Sequence, residues 1–93
     1  MIEALPPFGR LRWLCRRGTR ELDSILGGFL EENYRVADIQ TQHAFLALLN
    51  CQDPDIYDWL MGIHLPAEPH LAGIIKLLQI KYGINEADQH ADA

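Results

Sequence analysis

The stretch Arg20-Glu21-Leu22-Asp23-Ser24-Ile25-Leu26-Gly27-Gly28-Phe29-Leu30 decides the fold class. Its large apolar residues, Leu22, Ile25, Leu26, Phe29 and Leu30, fall at i, i+3, i+4, i+7 and i+8, which is one face of an α-helix. The same spacing recurs on both sides of it. Upstream, Leu11, Leu14 and Cys15 form a shorter stripe of about two turns. Downstream, Asp38 is placed to cap a helix carrying Phe45, Leu46, Leu48 and Leu49. Asp53-Pro54 reads as a cap followed by proline at the first helical position, and it opens a stripe of Ile56, Trp59, Leu60 and Ile63. A fifth helix starts near Pro69, carries Leu71, Ile74, Ile75 and Leu78 on one face, and ends at Gly83. No stretch alternates apolar and polar residues with period two, so no strand is expected. Breakers at Gly18, 34–37, 50–53 and 61–69 leave only short connections, which favour antiparallel neighbours around one core. The reading is an all-α fold, a single compact bundle of five short helices. It makes 1–93 one domain, with an ordered core over 8–83 and a frayed polar tail over 84–93.

Composition agrees with a soluble globule. Of 93 residues, 48% are hydrophobic and 23% charged, which excludes a disordered or fibrous chain. Cys15 and Cys51 make at most one bridge and form no CxxC, so a disulfide scaffold is excluded and both thiols are expected reduced. No run of apolar residues is long enough to span a membrane. The opening MIEALPPFGRLRWLCRR has an acid and two prolines where a signal peptide needs a basic start and an apolar run, so the expected location is the cytoplasm. Net charge is −5, but between Ala4 and Arg20 stand five arginines and no acid, whereas from Val36 onward two lysines face eight acids. That asymmetry marks the basic segment as a binding face. Nucleic acid is disfavoured as its partner, because the acidic remainder would repel a phosphate backbone. An acidic protein surface suits it better.

No catalytic or metal-binding pattern is present. His43, His64, His70 and His90 form no i, i+4 pair and no Cys/His spacing of a zinc site. There is no phosphate-binding GxxxxGK[ST] or GxGxxG, and Gly27-Gly28 lies inside a helical stripe, where it permits close helix packing. Asp53, Asp55 and Asp58 look like caps and first-turn acids. The chain is therefore expected not to be an enzyme. What stands out is 15–23, where Arg16, Arg17 and Arg20 surround Gly18 and are expected to face solvent. If helical geometry continues through the glycine, Arg17 and Glu21 are i, i+4 neighbours, and Glu21 would orient the guanidinium fork toward a planar or anionic target. The alternative is a plain helix corner with an internal ion pair. Tyr57 and Asp58 are expected exposed beside a core Trp59. Trp13, off its helix's stripe, is either a protein-contact anchor or a side chain lying on the second helix.

The run from Leu11 to Asp23, LRWLCRRGTRELD, resembles the signature of the SdhE family, small FAD assembly factors for succinate dehydrogenase. The family's RGxxE pattern is met by Arg17, Gly18 and Glu21. The likeness continues through Phe45-Leu46-Ala47-Leu48-Leu49 and through Asp53-Pro54-Asp55-Ile56-Tyr57-Asp58-Trp59-Leu60-Met61, in order and spacing, from about Leu11 to Tyr82. The chain departs from the pattern at Thr19, where methionine is common, at Ala37-Asp38, where Leu-Ser is common, and at Thr41, where an acid is common. The resemblance implies a five-helix bundle that binds the flavoprotein subunit of succinate dehydrogenase or fumarate reductase and promotes covalent attachment of FAD. The factor is expected to be a monomer and to act on FAD held by the partner, binding none stably by itself. The contacts the resemblance implies are Arg16, Arg17, Gly18, Arg20 and Glu21, extended by Tyr57 and Asp58. A second label used for such proteins, antitoxin, implies a regulatory protein-binding module with no role in flavin attachment.

Overall fold

The computed structural model describes residues 4–84. Five α-helices follow one another: α1 (Phe8–Leu14), α2 (Arg20–Glu32), α3 (Ile39–Leu49), α4 (Asp53–Leu60) and α5 (Pro69–Tyr82), with a single 3₁₀ turn at Tyr34–Val36. No strand occurs among the described residues. The expected tail lies outside them, apart from Ile84, whose N–H donates to the Gln79 carbonyl.

Local chemistry sets most of the boundaries. Thr19 accepts a hydrogen bond from the Leu22 N–H and starts α2, and Asp38 accepts one from the Thr41 N–H at 2.8 Å and starts α3. Gly83 ends α5 at φ 66°, a left-handed conformation that costs glycine little. Two boundaries differ from expectation. The cap of α4 is Gln52 rather than Asp53, so Asp53 is already the first helical residue and its carboxylate is free for another partner. The helix also ends at Leu60, leaving Ile63 in the following loop and 59% exposed, so it is not part of the α4 stripe.

The stripes meet in one core of Leu11, Leu22, Leu26, Phe29, Leu30, Phe45, Leu48, Ile56, Leu60 and Leu78, all at most 1% exposed. Helices α3 and α5 pack most extensively on each other. A chain of rings crosses the other side: Phe29 lies 4.9 Å from Phe45, Phe45 5.9 Å from Tyr34, and Tyr34 6.5 Å from Phe8, tying α2, α3, the 3₁₀ turn and α1 together. Tyr34 sits in a stretch that reads as a breaker, yet it is buried. The last carbonyls of α4 are satisfied from α5, because the Gln79 amide donates to Trp59 and Leu60 at 3.2 and 3.1 Å.

Gly27 and Gly28 divide their roles. A Cβ at Gly28 would stand 3.1 Å from the Tyr82 hydroxyl, so glycine there lets α5 approach α2, whereas a Cβ at Gly27 meets nothing within 4 Å. Gly27→Ala should therefore stabilise the protein by about 0.5–1 kcal/mol through helix propensity. Gly28→Val should destabilise it by about 1–3 kcal/mol through overpacking. Thermal unfolding of the two variants should show melting temperatures displaced in opposite directions; equal shifts would contradict the packing role of Gly28.

Candidate functional site

Helix α1 stops at Leu14 and α2 does not begin until Arg20, so 15–19 is a turn. Two side chains in and beyond it fix its path. Thr19 supplies the α2 cap, and the Arg17 backbone N–H donates to the Asp23 carboxylate in the first turn of α2. Helical geometry does not continue through Gly18, which removes the condition for an i, i+4 pair of Arg17 with Glu21.

Arg17 instead points inward. Its side chain is 12% exposed, not solvent-facing as its neighbours are. Nε donates to the Asp53 carboxylate at 2.7 Å, Nη1 to the carbonyls of Leu14 and Leu49 at 2.7 and 2.9 Å, and Nη2 to the carbonyl of Cys51 at 2.7 Å. Those carbonyls lie at the end of α1, the end of α3 and the α3–α4 link, and Asp53 opens α4. One guanidinium thus joins three helix termini and leaves little donor capacity for an outside partner. Carbonyls at helix C-termini carry negative partial charge and lack intrahelical donors, so a cation with a planar fork suits them.

The other expected site residues fall into two groups. Arg16, Gly18, Arg20 and Glu21 are exposed, and among the described residues none makes a side-chain hydrogen bond or ion pair. Gly18 sits beside the clamp, where a Cβ would lie 4.0 Å from Asp53 Oδ2 and touch nothing closer. Its φ is outside the left-handed region, so neither packing nor backbone conformation requires glycine there. Tyr57, 41% exposed, stands one turn along α4 from Asp53 on the same side of the helix. Asp58 does not join them: its carboxylate faces His64 Nδ1 at 3.6 Å, and its carbonyl accepts from the Ile63 N–H at 2.8 Å. Trp59 is partly buried against the core, while Trp13 is 73% exposed and does not lie on α2.

Asp53 is the site residue that sequence reasoning assigned elsewhere. Its Asp-Pro context has the form of a helix cap, and nothing local announces a partner 36 residues away. The thiols flank the clamp without entering it. Burial pushes the Cys15 thiol up to about 11 against the pull of Arg17, and burial likewise raises the Cys51 thiol, so both stay protonated near neutrality. Among the described residues no cluster of His, Cys, Asp and Glu could hold a metal ion.

A family model described as the flavinator of succinate dehydrogenase matches residues 9–82. The chain belongs to this family. Proteins named FAD assembly factor SdhE are similar to it over most of both lengths. That of Yersinia pseudotuberculosis is 41% identical over 70 residues, covering 75% of this chain and 80% of the relative. That of a Serratia strain is 38% identical over 72 residues, covering 77% and 82%. That of Methylococcus capsulatus is 40% identical over 75 residues, covering 81% and 90%. The match with the flavinator family spans all five helices and the whole clamp.

Removing the clamp should cost more than removing one surface ion pair. Asp53 is 35% exposed and can be rehydrated, so the loss falls mainly on the three carbonyls that a charged donor now satisfies. Arg17→Ala should lower unfolding free energy by about 2–3 kcal/mol, and Arg17→Lys should recover less than half of that, because an ammonium cannot fork to the same acceptors. Asp53→Asn should cost about 1 kcal/mol. Urea denaturation of the three variants measures this order, and a lysine variant as stable as the wild type would contradict it.

Proposed function

We propose that this member of the flavinator family binds the flavoprotein subunit of succinate dehydrogenase, or of fumarate reductase, and promotes covalent attachment of FAD to it. The observation that carries the reading to a site is Gly18, a glycine for which the fold itself has no need, placed on an exposed turn that Arg17 ties to the ends of neighbouring helices. A missing side chain that serves nothing inside serves close approach from outside. The family is that of the flavinator of succinate dehydrogenase and its relatives are named FAD assembly factors, which supports succinate dehydrogenase as the partner and FAD as the cofactor.

In this reading Arg16, Gly18, Arg20 and Glu21 meet the partner, with Tyr57 extending the contact. Asp58 stands at the edge of that surface. Arg17 acts from beneath, by fixing the turn. The protein is not itself an enzyme. It holds no FAD stably, and it acts as a cytoplasmic monomer on FAD already bound by the flavoprotein. The factor accelerates attachment by binding the attachment-competent conformation of its partner more tightly than the others, since equal affinity for all would shift nothing. No helix is long and apolar enough to cross a membrane among the described residues. Arg16 and Arg20 raise the association rate toward an acidic partner.

In-gel flavin fluorescence of the apo flavoprotein subunit, incubated with FAD, tests this reading. Wild type should speed covalent labelling, and Gly18→Leu should lose at least about tenfold of that effect. The melting temperature of the variant should stay within about 3 °C of wild type, as for an unconstrained surface position. Equal labelling with wild type, variant and buffer would overturn the reading in favour of a binding module with no part in flavin attachment.

A further inference from the structure

From the placement of Trp13 we infer a second element of the partner interface: an aromatic anchor on a segment that carries three unneutralised arginines, suited to an apolar pocket on an acidic protein surface. This rests on the proposed function and adds to it a residue and the chemistry of the surface it meets.

Helical phase comes first. Leu11 and Cys15 turn α1 toward the core, at 1% and 3% exposure. At 3.6 residues per turn Trp13 lies about 160–200° around the helix from both, directed away from the protein. It is 73% exposed, it belongs neither to the core nor to the apolar residues packed against it, and its indole N–H has no partner among the described residues. A depression of about 460 Å³ lined by Gly9, Arg10, Trp13 and Leu14 lies on the same side. A tryptophan contributes more burial area than any other side chain, and leaving it in water is unfavourable unless something covers it part of the time.

Charge identifies what covers it. Of the five arginines between Ala4 and Arg20, two are neutralised internally: Arg17 by Asp53, and Arg12 by Glu31 at 2.8 Å, whose hydrogen bond holds the Glu31 carboxyl below its ordinary range. Arg10, Arg16 and Arg20 are exposed and make no side-chain hydrogen bond or ion pair among the described residues. An exposed Trp beside Arg10, on a segment that also carries Arg16 and Arg20, has the composition of an interface hot spot, in which the aromatic group supplies residence time and the charges supply encounter rate. The wider chain is acidic, at net −5, so this patch attracts acidic surfaces against the sign of the whole molecule. A nucleic-acid strand fits less well, since one ring offers no series of stacking platforms.

Biolayer interferometry with the purified flavoprotein subunit of succinate dehydrogenase tests the assignment. Trp13→Ala should weaken binding at least about 30-fold, equivalent to about 2 kcal/mol, almost wholly through faster dissociation and at every salt concentration. Trp13→Phe should recover most of the loss. Arg10→Gln combined with Arg20→Gln should instead slow association and flatten its salt dependence. Circular dichroism should show all variants folded, because none of these side chains is buried. Unchanged dissociation of Trp13→Ala from a flavoprotein that binds wild type would overturn the anchor and leave the proposed function standing. No binding of wild type would overturn both. A Trp13→Ala effect confined to self-association in sedimentation would overturn the anchor in favour of a second copy of the chain.

Discussion

The structure depends on one partly buried guanidinium. Arg17 gathers the ends of α1 and α3, the α3–α4 link and the first residue of α4 through four hydrogen bonds, all between 2.7 and 2.9 Å. Short helices present a particular problem to a small bundle: each has four carbonyls at its C-terminus without intrahelical donors, and a chain of this size has few spare side chains to satisfy them. A single arginine with a planar fork answers two of those needs, at Leu14 and Leu49, together with the Cys51 carbonyl of the link, and Asp53 balances its charge. Gln79 does the same on a smaller scale at the end of α4.

That constraint separates two roles that adjacent residues would otherwise share. Arg17 is occupied inward, so the exposed chemistry of the turn falls to Arg16, Gly18, Arg20 and Glu21. A turn tethered at Arg17 by five hydrogen bonds also has less entropy to lose on binding than an untethered loop. The basic segment, read as a uniform stretch of charge, is in fact divided: two arginines hold the fold together or pair across its surface, and three remain available to a partner.

Much of this was legible in the sequence, because it was local. Stripes at i, i+3, i+4 gave all five helices, and Asp38 and Gly83 gave two of their ends by hydrogen-bonding and conformational rules that operate within one turn. The resemblance that runs in order and spacing from Leu11 to Tyr82 led to the family to which the chain belongs. What escaped was non-local. Arg17 and Asp53 are 36 positions apart, and an aspartate before a proline has the same appearance whether it caps a helix or receives an arginine. The pairing of Arg17 with Glu21 required a continuous helix, and Thr19 interrupts it. Ile63 fits the α4 stripe by spacing, but the helix ends before reaching it. Tyr34 lies in a stretch that reads as punctuation and is held in the core by ring contacts from other helices.

The central claim is that Arg17 works inward while the turn it fixes works outward. Nitrogen-15 NMR of the protein, free and bound to the unlabelled flavoprotein subunit, measures both at once. The account predicts an Arg17 Nε–H signal that exchanges slowly with water and keeps its shift on binding, while the Gly18 amide signal moves or broadens. An Arg17 Nε–H that exchanges freely in the unbound protein, or that shifts on binding while Gly18 stays unchanged, would contradict it.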